Sequence, residues 1–502
     1  MNLVINYFEK AASIYGNKTA VIYEDISITY NQLLEKAKAL GTYLNIQNNE
    51  PVIVFMDKSP EALSCFLGIL YAGGCYSLIN TDLPESRITH IKDTLNSKVI
   101  ITSDEYYEKA LSLFAGLQVI NIDKEEFTTI DELKLKQIME QKIDLDPVYI
   151  NFTSGSTGVP KGVAINNRSI IDFINIFTEE FGFNEQDIIA NQAPLDFDVS
   201  VKDIYSAWFK GATIVLIPKA YFSSPAKLLD YLVDNKVTTM TWAVSALCLI
   251  TTFHGLDYKV PSTVNKIIFS GEVMPLKHLN IWMDKLPHTK FINVYGPTEI
   301  TCNCTYHIID RQREYLDAIP IGKAFKNERV FLLDDNNKLV TDTHKPGEIC
   351  VSGSCLALGY YNNKEQTNNH FCQNPINTVY NEMIYRTGDL AEYNDLGELI
   401  FKGRKDFQIK YMGHRIELEE IDKNILKHDG VINSCTIFDD KKSRLYNFYI
   451  GDIDKKELHA YLKEVLPIYM VPNTFFKLDA FPLNKNGKID RKELLKIKEE
   501  LK

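Results

Sequence analysis

Short runs of apolar residues alternate along the chain with longer segments in which apolar residues recur every three to four positions. The runs have the length and composition of strands buried on both faces of a sheet, and they include VIVFM (52–56), CYSLIN (75–80), KVIITS (98–103) and TIVLIPK (213–219). Between the first two lies SPEALSCFLGILYAGG (59–74), which begins with Ser-Pro and ends with a glycine pair, as helices do. This alternation predicts an α/β architecture with largely parallel sheets.

The hydrophobic pattern changes near FKGRKDFQIKYMGHRIELEEI (401–421), which predicts a boundary between two regions. Upstream, YRTGD (385–389) resembles a hairpin turn. Downstream, IELEEIDKNILKHDG (416–430) has a helical period ending at Gly430, and the rest of the chain alternates strand and helix patterns over a typical small-domain length. With 502 residues the chain also exceeds the size of a single core. We therefore expect a large N-terminal region and a small C-terminal one.

Composition and charge exclude several classes of function. The chain carries 55 basic and 66 acidic residues, a net charge of −11, and no stripe of Lys or Arg, so nucleic acid is not expected as a partner. No apolar run is long enough to cross a bilayer, and the N-terminus lacks the pattern of a signal peptide. The nine cysteines suit reduced core thiols, and Cys302 and Cys304 do not form a CxxC site. These features predict a cytoplasmic protein without membrane insertion.

The segment NFTSGSTGVPKGVAIN (151–166) combines glycines, hydroxyl side chains and one lysine between apolar residues. Glycine permits backbone conformations in which successive N–H groups converge, so such a loop can hold phosphate oxygens. It is not a Walker loop, because Pro160 precedes Lys161 and GVAIN continues as a strand pattern. Richness in Gly, Ser and Thr is by itself more typical of a flexible surface turn.

Further motifs occur in a fixed order along nearly the whole chain. Together with YINFTSGSTGVPKG (149–162) they resemble the motifs of the adenylate-forming superfamily, which includes acyl-CoA synthetases, luciferases and the adenylation domains of nonribosomal peptide synthetases. They are ITYNQL (28–33), GILYAGGCYSLIN (68–80), LDFDVSV (195–201), VYGPTE (294–299), YRTGD (385–389), GRKDFQIKYMGHRIELEEI (403–421), LPIYMVPN (466–473) and NGKIDRKEL (486–494).

The resemblance implies an α/β fold in which the large N-terminal region, residues 1–404, has mixed and parallel sheets flanked by helices and a small barrel-like part. Residues 405–502 would form a small, mobile α+β C-terminal domain, with a hinge near Asp406. ATP and Mg²⁺ are the implied cofactors of a reaction in which a carboxylate attacks the α-phosphorus of ATP and pyrophosphate leaves. Because charge collects on phosphate oxygens, positioned cations and hydrogen-bond donors supply most of the catalysis.

The resemblance also assigns residues to ATP. Tyr295 would stack on adenine, and Asp389 and Arg404 would bind the ribose. Glu299 would hold Mg²⁺, which prefers carboxylate and phosphate oxygens. Alone, each charged residue would more often belong to a surface ion pair or an exposed turn. The implied ATP-binding residues are Thr153, Ser154, Gly155, Ser156, Thr157, Gly158, Lys161, Asn293, Val294, Tyr295, Gly296, Thr298, Asp389 and Arg404.

Three residues are implied to be catalytic: Lys488, Thr153 and Glu299. Lys488 would bridge the substrate carboxylate and the α-phosphate, although its lysine-rich surroundings alone indicate a solvated side chain. Since Lys488 lies in the small domain, it acts only when that domain closes over the site. In this superfamily the domain swings about a hinge, here Asp406, to a second pose in which Gly413 would line the channel for a pantetheine thiol.

The closer resemblance is to members that activate amino acids. FDVSVKDIY (197–205) places Asp198 where those enzymes hold the substrate α-ammonium; the alternative is a helix N-cap, a role that Ser200 could equally fill. The implied pocket consists of Asp198, Val199, Lys202, Thr241, Ile268, Ser270, Gly271, Val294, Cys302, Asn303 and Lys488. Lys202 either points inward towards an acidic or amide group, or extends to solvent and leaves a small cavity. Two substrate classes follow: polar or acidic, such as Glu or Asp, and small, such as Ala or Ser.

The acceptor is expected to be the phosphopantetheine thiol of a separate peptidyl or acyl carrier protein, because only 14 residues follow Lys488 and none of them forms a carrier segment. The chain could also be one domain of a larger synthetase. FSGEVMP (269–275) resembles the D-alanine carrier-protein ligase of teichoic acid modification, which is the main alternative. An acyl- or aryl-CoA ligase and a luciferase-like oxidase are further alternatives that would not need Asp198.

Overall fold

The computed structural model describes residues 2–155, 159–315, 318–439, 442–483 and 489–500. The chain divides into two compact units. Unit 1 comprises Met1–Thr81, Leu95–Phe152 and Gly162–Lys405, and unit 2 comprises Asp82–Thr94, Thr153–Lys161 and Asp406–Lys502. The long C-terminal segment of unit 2 thus begins at Asp406, where the sequence predicts a hinge. Movement about that residue stays a prediction.

The strands occur throughout the chain and are mostly short. They are β1 (Thr19–Tyr23), β2 (Ile26–Thr29), β3 (Pro51–Phe55), β4 (Cys75–Leu78), β5 (Val99–Thr102), β6 (Gln118–Asn121), β7 (Pro147–Thr153), β8 (Lys161–Asn166), β9 (Ile188–Asn191), β10 (Thr213–Leu216), β11 (Thr239–Ala243), β12 (Lys266–Ser270), β13 (Lys290–Tyr295), β14 (Thr305–Ile308), β15 (Lys323–Ala324), β16 (Glu328–Leu333), β17 (Leu339–Val340), β18 (Gly347–Gly353), β19 (Gly359–Tyr360), β20 (Phe371–Gln373), β21 (Met383–Tyr393), β22 (Leu399–Arg404), β23 (Gln408–Tyr411), β24 (His414–Glu417), β25 (Val431–Asp439), β26 (Arg444–Gly451) and β27 (Thr474–Lys477).

Helices connect most of the parallel strands. They are α1 (Val4–Tyr15), α2 (Tyr30–Tyr43), α3 (Pro60–Tyr71), α4 (Glu85–Leu95), α5 (Tyr107–Leu113), α6 (Glu132–Glu140), α7 (Asn167–Phe181), α8 (Val199–Lys210), α9 (Pro225–Asp234), α10 (Val244–Thr252), α11 (Gly255–Tyr258), α12 (Leu276–Lys285), α13 (Lys364–His370), α14 (Leu418–Ile425), α15 (Lys455–Val465) and α16 (Arg491–Glu500).

A nine-stranded sheet in the order β15-β14-β13-β12-β11-β9-β10-β1-β2 forms the part of unit 1 that carries the predicted substrate pocket. The strands from β13 to β1 pair in parallel, and antiparallel strands flank them. Side chains alternate between its two faces. Ile267 and Phe269 pack in one core with Trp282, whereas Ile268 packs in the other core with Ile204 of α8. Helix α8 therefore packs on the face of the sheet that carries Ile268.

A seven-stranded sheet in the order β19-β8-β7-β4-β3-β5-β6 forms a second layer of unit 1. The four apolar runs of the sequence correspond to β3, β4, β5 and β10, which are buried along their whole length. The predicted helix is α3, whose first turn has Pro60 and is capped by Ser59, which accepts a hydrogen bond from the N–H of Ala62 at 3.2 Å. The α/β prediction is confirmed.

The barrel-like part of unit 1 is an antiparallel sheet in the order β17-β16-β18-β21-β20, with β22 paired to β21. The predicted hairpin turn at YRTGD (385–389) is wrong, because these residues lie inside β21. Gly388 has φ 73°, and the pairing of β21 with β18 shifts register there, so the glycine accommodates an irregularity within the strand.

Unit 2 contains the hairpin β23–β24 and a three-stranded sheet β25-β26-β27, with α14 packed on β25 and against α15. The helix predicted over 416–430 is shorter: it starts at Leu418, because Ile416 and Glu417 still belong to β24, and it ends at Ile425. Arg87 of α4 forms a buried ion pair with Glu420 of α14 at 2.5 Å. The Ser154 hydroxyl donates to the Arg415 carbonyl at 2.7 Å. These contacts explain why two short earlier segments belong to unit 2.

Candidate active site

Tyr295, Asp389 and Arg404 meet in unit 1. Tyr295 ends β13, while Asp389 and Arg404 are register partners on β21 and β22. The Tyr295 hydroxyl donates to one oxygen of the Asp389 carboxylate, and the Arg404 guanidinium donates to the other. Burial and the Asp389 charge raise the pKa of Tyr295 well above its ordinary value, so its hydroxyl remains a donor. The structure thus brings together the three residues predicted to bind adenosine, and their roles stay predictions.

The turn that follows β13 is tightly closed. A Cβ at Gly296 would lie 2.5 Å from the Asn303 Cα, a distance that real side chains do not reach. Thr301 and Cys302 both adopt left-handed backbone conformations, with φ of 56° and 82°. This backbone brings Cys302 and Asn303, both buried, back beside the end of β13. Before the turn, the Asn293 side-chain amide donates to the Pro320 carbonyl at 2.8 Å.

Glu299 lies in this turn and is fully buried, one residue after the buried Thr298. The Tyr360 hydroxyl donates to its Oε1 at 2.7 Å. Within the described residues, no cluster of three or more His, Cys, Asp or Glu could hold a metal ion on its own. Mg²⁺ is commonly held by one or two carboxylates together with substrate phosphates, so a single buried carboxylate fits the predicted role of Glu299 as its ligand.

Asp198 immediately precedes α8, but its side chain makes no capping hydrogen bond. The Ser200 hydroxyl does not cap the helix either, since it donates to the Phe197 carbonyl at 2.7 Å. Asp198 therefore occupies the N-cap position of α8, but its side chain does not cap the helix by a hydrogen bond. Asp198 already has helical backbone angles, so it shares one helix face with Lys202, four residues later.

The strand residues of the predicted pocket lie on the sheet face that α8 covers. Thr241 on β11 and Ile268 on β12 are register partners, and Ser270 lies two residues beyond Ile268 on the same face. The Lys202 ammonium donates to the Ser270 hydroxyl at 3.1 Å, and Lys202 is 0% exposed, so its side chain points inward. The remaining predicted lining residues here are buried Val199 and Val294, and Gly271, which follows Ser270 with φ 94°.

Asp203, next to Lys202 on α8, is held by two neutral groups. Its carboxyl accepts a hydrogen bond from the Asn191 amide at 2.8 Å and one from the Thr241 hydroxyl. Burial raises the pKa of Asp203 to about 8, although the Asn191 bond and the charges of Lys202 and Lys58 oppose the rise. Asp203 therefore carries a proton on most molecules at neutral pH.

Three further groups in this region were not expected from the sequence: the half-buried Lys58 and Asp196 and the buried Tyr149. Lys58 donates to the carbonyls of Asn191 and Gln192, at 3.3 and 3.0 Å, and burial lowers its pKa to about 7. Burial raises the pKa of Asp196 to about 6. The Tyr149 hydroxyl has no hydrogen-bond partner among the described residues, and the charge of Asp198 contributes to its raised pKa. Lys58 follows shortly after the apolar run VIVFM (52–56), and Tyr149 begins the motif YINFTSGSTG (149–158). Neither sequence pattern indicates the direction of the side chain.

The glycine-rich loop belongs to unit 2. Thr153 ends β7 with its hydroxyl buried and without a hydrogen-bond partner among the described residues. A Cβ at Gly155 would lie 2.2 Å from the Val159 carbonyl oxygen, so the loop backbone closes on itself there. Lys161 starts β8 and is 6% exposed. Burial raises the pKa of Glu417, and the nearby Lys161 charge opposes this rise. These features fit a loop that holds phosphate oxygens.

Two predicted residues lie at the start of the C-terminal segment. The Asp406 carboxylate accepts a hydrogen bond from the N–H of Gln408 at 3.2 Å. Gly413, with φ 81°, and Met412, with φ 52°, form the turn of the β23–β24 hairpin. Whether Gly413 lines a thiol channel stays a prediction. Four further predicted residues lie outside the described residues: Ser156, Thr157, Gly158 and Lys488.

Comparison with known proteins identifies the family. Residues 8–361 match the family described as AMP-binding enzyme. The chain is 32% identical over 495 residues to tyrocidine synthase 1 of Brevibacillus parabrevis, covering 97% of this chain and 44% of that protein. It is 32% identical over 504 residues to surfactin synthase subunit 1 of Bacillus subtilis (strain 168), covering 98% of this chain and 14% of that protein. The chain thus spans less than half the length of each of these relatives.

Solved structures share the fold. The holo form of PA1221, an NRPS protein containing adenylation and PCP domains bound to a vinylsulfonamide inhibitor, matches with a TM-score of 0.85 at 25% identity, covering 99% of this chain and 84% of that chain. The Vibrio cholerae adenylation domain AlmE, in complex with glycyl-adenosine-5′-phosphate, matches with a TM-score of 0.87 at 22% identity over 100% and 98% of the two chains. Among the described residues, no helix is both long and apolar enough to span a membrane. The predicted membership of the adenylate-forming superfamily is confirmed, and the chain belongs to the AMP-binding enzyme family.

Proposed function

We propose that this protein activates an amino acid as an aminoacyl-adenylate, with release of pyrophosphate from ATP, and then transfers the aminoacyl group to the phosphopantetheine thiol of a carrier protein. The observation that carries the amino-acid part is the placement of Asp198. It is 7% exposed and caps no helix, and it shares a helix face with Lys202, whose ammonium lies beside the polar strand residue Ser270. A carboxylate at this position can accept the α-ammonium of an amino-acid substrate as an ion-pair partner.

The adenosine and phosphate roles follow from the geometry of each cluster. Asp389 would accept hydrogen bonds from the ribose hydroxyls, with Arg404 and Tyr295 fixing its orientation. The orphaned hydroxyl of Thr153 and the cation of Lys161 would hold the phosphate oxygens, and the backbone N–H groups of the loop would add donors. Bound Mg²⁺, held by Glu299, would neutralise charge on those oxygens.

Lys488 is proposed to complete adenylation from the C-terminal segment. Its ammonium would sit between the substrate carboxylate and the α-phosphate and reduce the repulsion between two anions as they meet. The transfer half-reaction would need a second arrangement, with rotation about Asp406 and with the turn at Gly413 lining the path of the thiol. The chain's similarity to a protein that contains adenylation and PCP domains supports a carrier as the acceptor.

The substrate is proposed to be a polar or acidic amino acid, or a small one. The D-alanine carrier-protein ligase activity is the competing proposal, since it needs the same α-ammonium site and a small side-chain cavity. An acyl-CoA ligase or an oxidase would not need a carboxylate at position 198 to bind its substrate.

Amino-acid-dependent exchange of pyrophosphate into ATP tests the proposal. The purified protein is assayed with each of the twenty proteinogenic amino acids, with D-alanine, and with a fatty and an aryl acid as controls. Exchange with at least one amino acid and not with the control acids is expected. Exchange with a control acid alone would contradict the proposal.

A further inference from the structure

The Lys202 ammonium is a buried charge with an incomplete environment. The side chain is 0% exposed, and its hydrogen bond within the described residues goes to the neutral Ser270 hydroxyl at 3.1 Å. Among the described residues, no carboxylate lies within ion-pair distance, 4.0 Å, of its nitrogen. An ammonium has three hydrogens to donate, and burying it without a counter-charge is costly. The site therefore favours an anion that the described residues do not provide within ion-pair distance.

The adjacent carboxyl of Asp203 does not supply this anion. Its two oxygens already accept hydrogen bonds from Asn191 and Thr241. Its pKa is raised to about 8, so at neutral pH it is mostly uncharged. The charge of a second lysine, Lys58, also opposes the rise in the pKa of Asp203. In the proposed complex Asp198 pairs with the substrate ammonium, so Lys202 keeps no carboxylate of its own within ion-pair distance among the described residues.

The helix sets the direction in which a substrate would reach Lys202. Asp198 and Lys202 stand one turn apart on the same face of α8, so their Cβ atoms are separated by roughly 5–6 Å. A substrate whose α-ammonium pairs with Asp198 would extend its side chain along that face towards Lys202 and Ser270. A terminal carboxylate there would accept hydrogen bonds from both the Lys202 ammonium and the Ser270 hydroxyl.

We propose that the pocket selects an amino acid whose side chain ends in a carboxylate, with Lys202 as its ion-pair partner and Ser270 as a further hydrogen-bond donor. This inference rests on the proposed function and narrows it to acidic amino acids. A side-chain amide offers Lys202 a neutral acceptor but no charge, so it binds less tightly. A small side chain leaves the ammonium buried and unpaired, so alanine, serine and D-alanine are poor substrates.

The test is a comparison of kcat/KM in ATP–pyrophosphate exchange for glutamate, aspartate, glutamine, asparagine, serine and both enantiomers of alanine. The kcat/KM of an acidic amino acid is expected to exceed that of its own amide by about 100-fold, because the amide removes one charge of a buried ion pair. A neutral amino acid as the best substrate would overturn the inference while leaving the proposed function intact. Silence with every amino acid would overturn both.

Two lysine variants separate substrate selection from a structural role. Lys202→Met is expected to lower activity with the acidic amino acid by about 100-fold and to reduce the preference for acid over amide to less than about tenfold. Lys266→Met is the matched control, because Lys266 is also buried and lies on β12 with Ser270, but pairs with Asp187 at 2.8 Å. Lys266→Met should lower the melting temperature without changing the ratio of kcat/KM for the acidic amino acid over its amide. If Lys202→Met lowers the melting temperature like the control and keeps the wild-type ratio of kcat/KM for acid over amide, Lys202 has only a structural role, and the inference is overturned. If Lys202→Met does not fold, the wild-type comparison decides.

Discussion

The Tyr295 hydroxyl donates a hydrogen bond to the buried Asp389 carboxylate, whose other oxygen is held by Arg404. Tyr295→Phe removes one donor from a carboxylate that is 3% exposed. We expect the variant to lose about 1–3 kcal/mol in the free energy of unfolding, the usual effect of removing a hydrogen bond to a charged group. The KM for ATP should also rise, because Asp389 loses part of what fixes its orientation.

Urea unfolding and ATP titration in the exchange assay measure these two effects. Tyr306→Phe is a matched control, since its hydroxyl also donates to a carboxylate, that of Glu180, at 2.6 Å, outside the predicted ATP site. It should lower stability without changing the KM for ATP. An equal rise in KM for both variants would contradict a local role for Tyr295.

Asp198→Ala is expected to lower kcat/KM for the amino acid by roughly 100-fold or more, because the substrate ammonium would lose its buried counter-charge. ATP binding, measured directly by calorimetry, should change little. Ser200→Ala is the control, since it removes a hydroxyl from the same turn of α8. Within the described residues that hydroxyl donates to the carbonyls of Phe197 and Leu195. If Asp198→Ala weakened ATP and amino-acid binding equally, the aspartate would have a structural role instead.

Lys488→Ala should reduce pyrophosphate exchange by roughly 100-fold or more, since it removes a cation proposed to act on charge that develops in the transition state. The exposed Lys492, at the start of α16, provides a control of the same type, and Lys492→Ala should retain wild-type exchange. Full exchange by Lys488→Ala would refute the assigned chemistry.

The protonation of Asp203 gives a pH-dependent contribution to stability. Its pKa in the folded protein, about 8, is above the ordinary value for aspartate, so the folded state binds a proton more tightly than the unfolded state. This contribution is fully present below the unfolded pKa and is lost as the pH rises through about 8. Asp203→Asn mimics the protonated carboxyl, so it should gain stability relative to the wild type as the pH rises from about 5 to about 9, by at most about 1.4 kcal/mol per pH unit. Burial lowers the pKa of Lys58 to about 7, and the Asp203 charge opposes this fall, so Asp203→Asn also removes a charge that favours protonated Lys58. Denaturant unfolding across this range measures the difference, and a pH-independent difference would contradict the assignment.

Much of the fold was predictable because its signals are local. The apolar runs in the sequence correspond to β3, β4, β5 and β10. A continuous apolar run is typical of a strand that is buried on both faces of its sheet. YRTGD was misjudged as a turn because its glycine permits an irregularity within a strand as readily as a reversal of the chain. The start of α14 was placed two residues early because the apolar pattern continues without a break from β24 into the helix.

The predicted pocket depended on resemblance, since Asp198, Thr241, Ser270 and Cys302 are far apart in sequence and only the sheet and α8 bring them together. The inward direction of Lys202 could not be predicted, because a lysine on an amphipathic helix can equally extend to solvent. Lys58 was also missed, because its bond to the carbonyl of Asn191, which ends β9, depends on a contact across 133 positions of the chain.

The closed turn after β13 limits how this enzyme can be re-engineered. Any side chain at Gly296 would collide with main-chain atoms of Cys302 and Asn303, and two consecutive left-handed residues leave the loop little freedom to yield. A combinatorial library aimed at new substrates would lose most members to misfolding if it randomised this loop. Diversity is better concentrated at Lys202, Thr241 and Ser270, where the helix and strands would keep their backbone positions while the chemistry of the cavity changes.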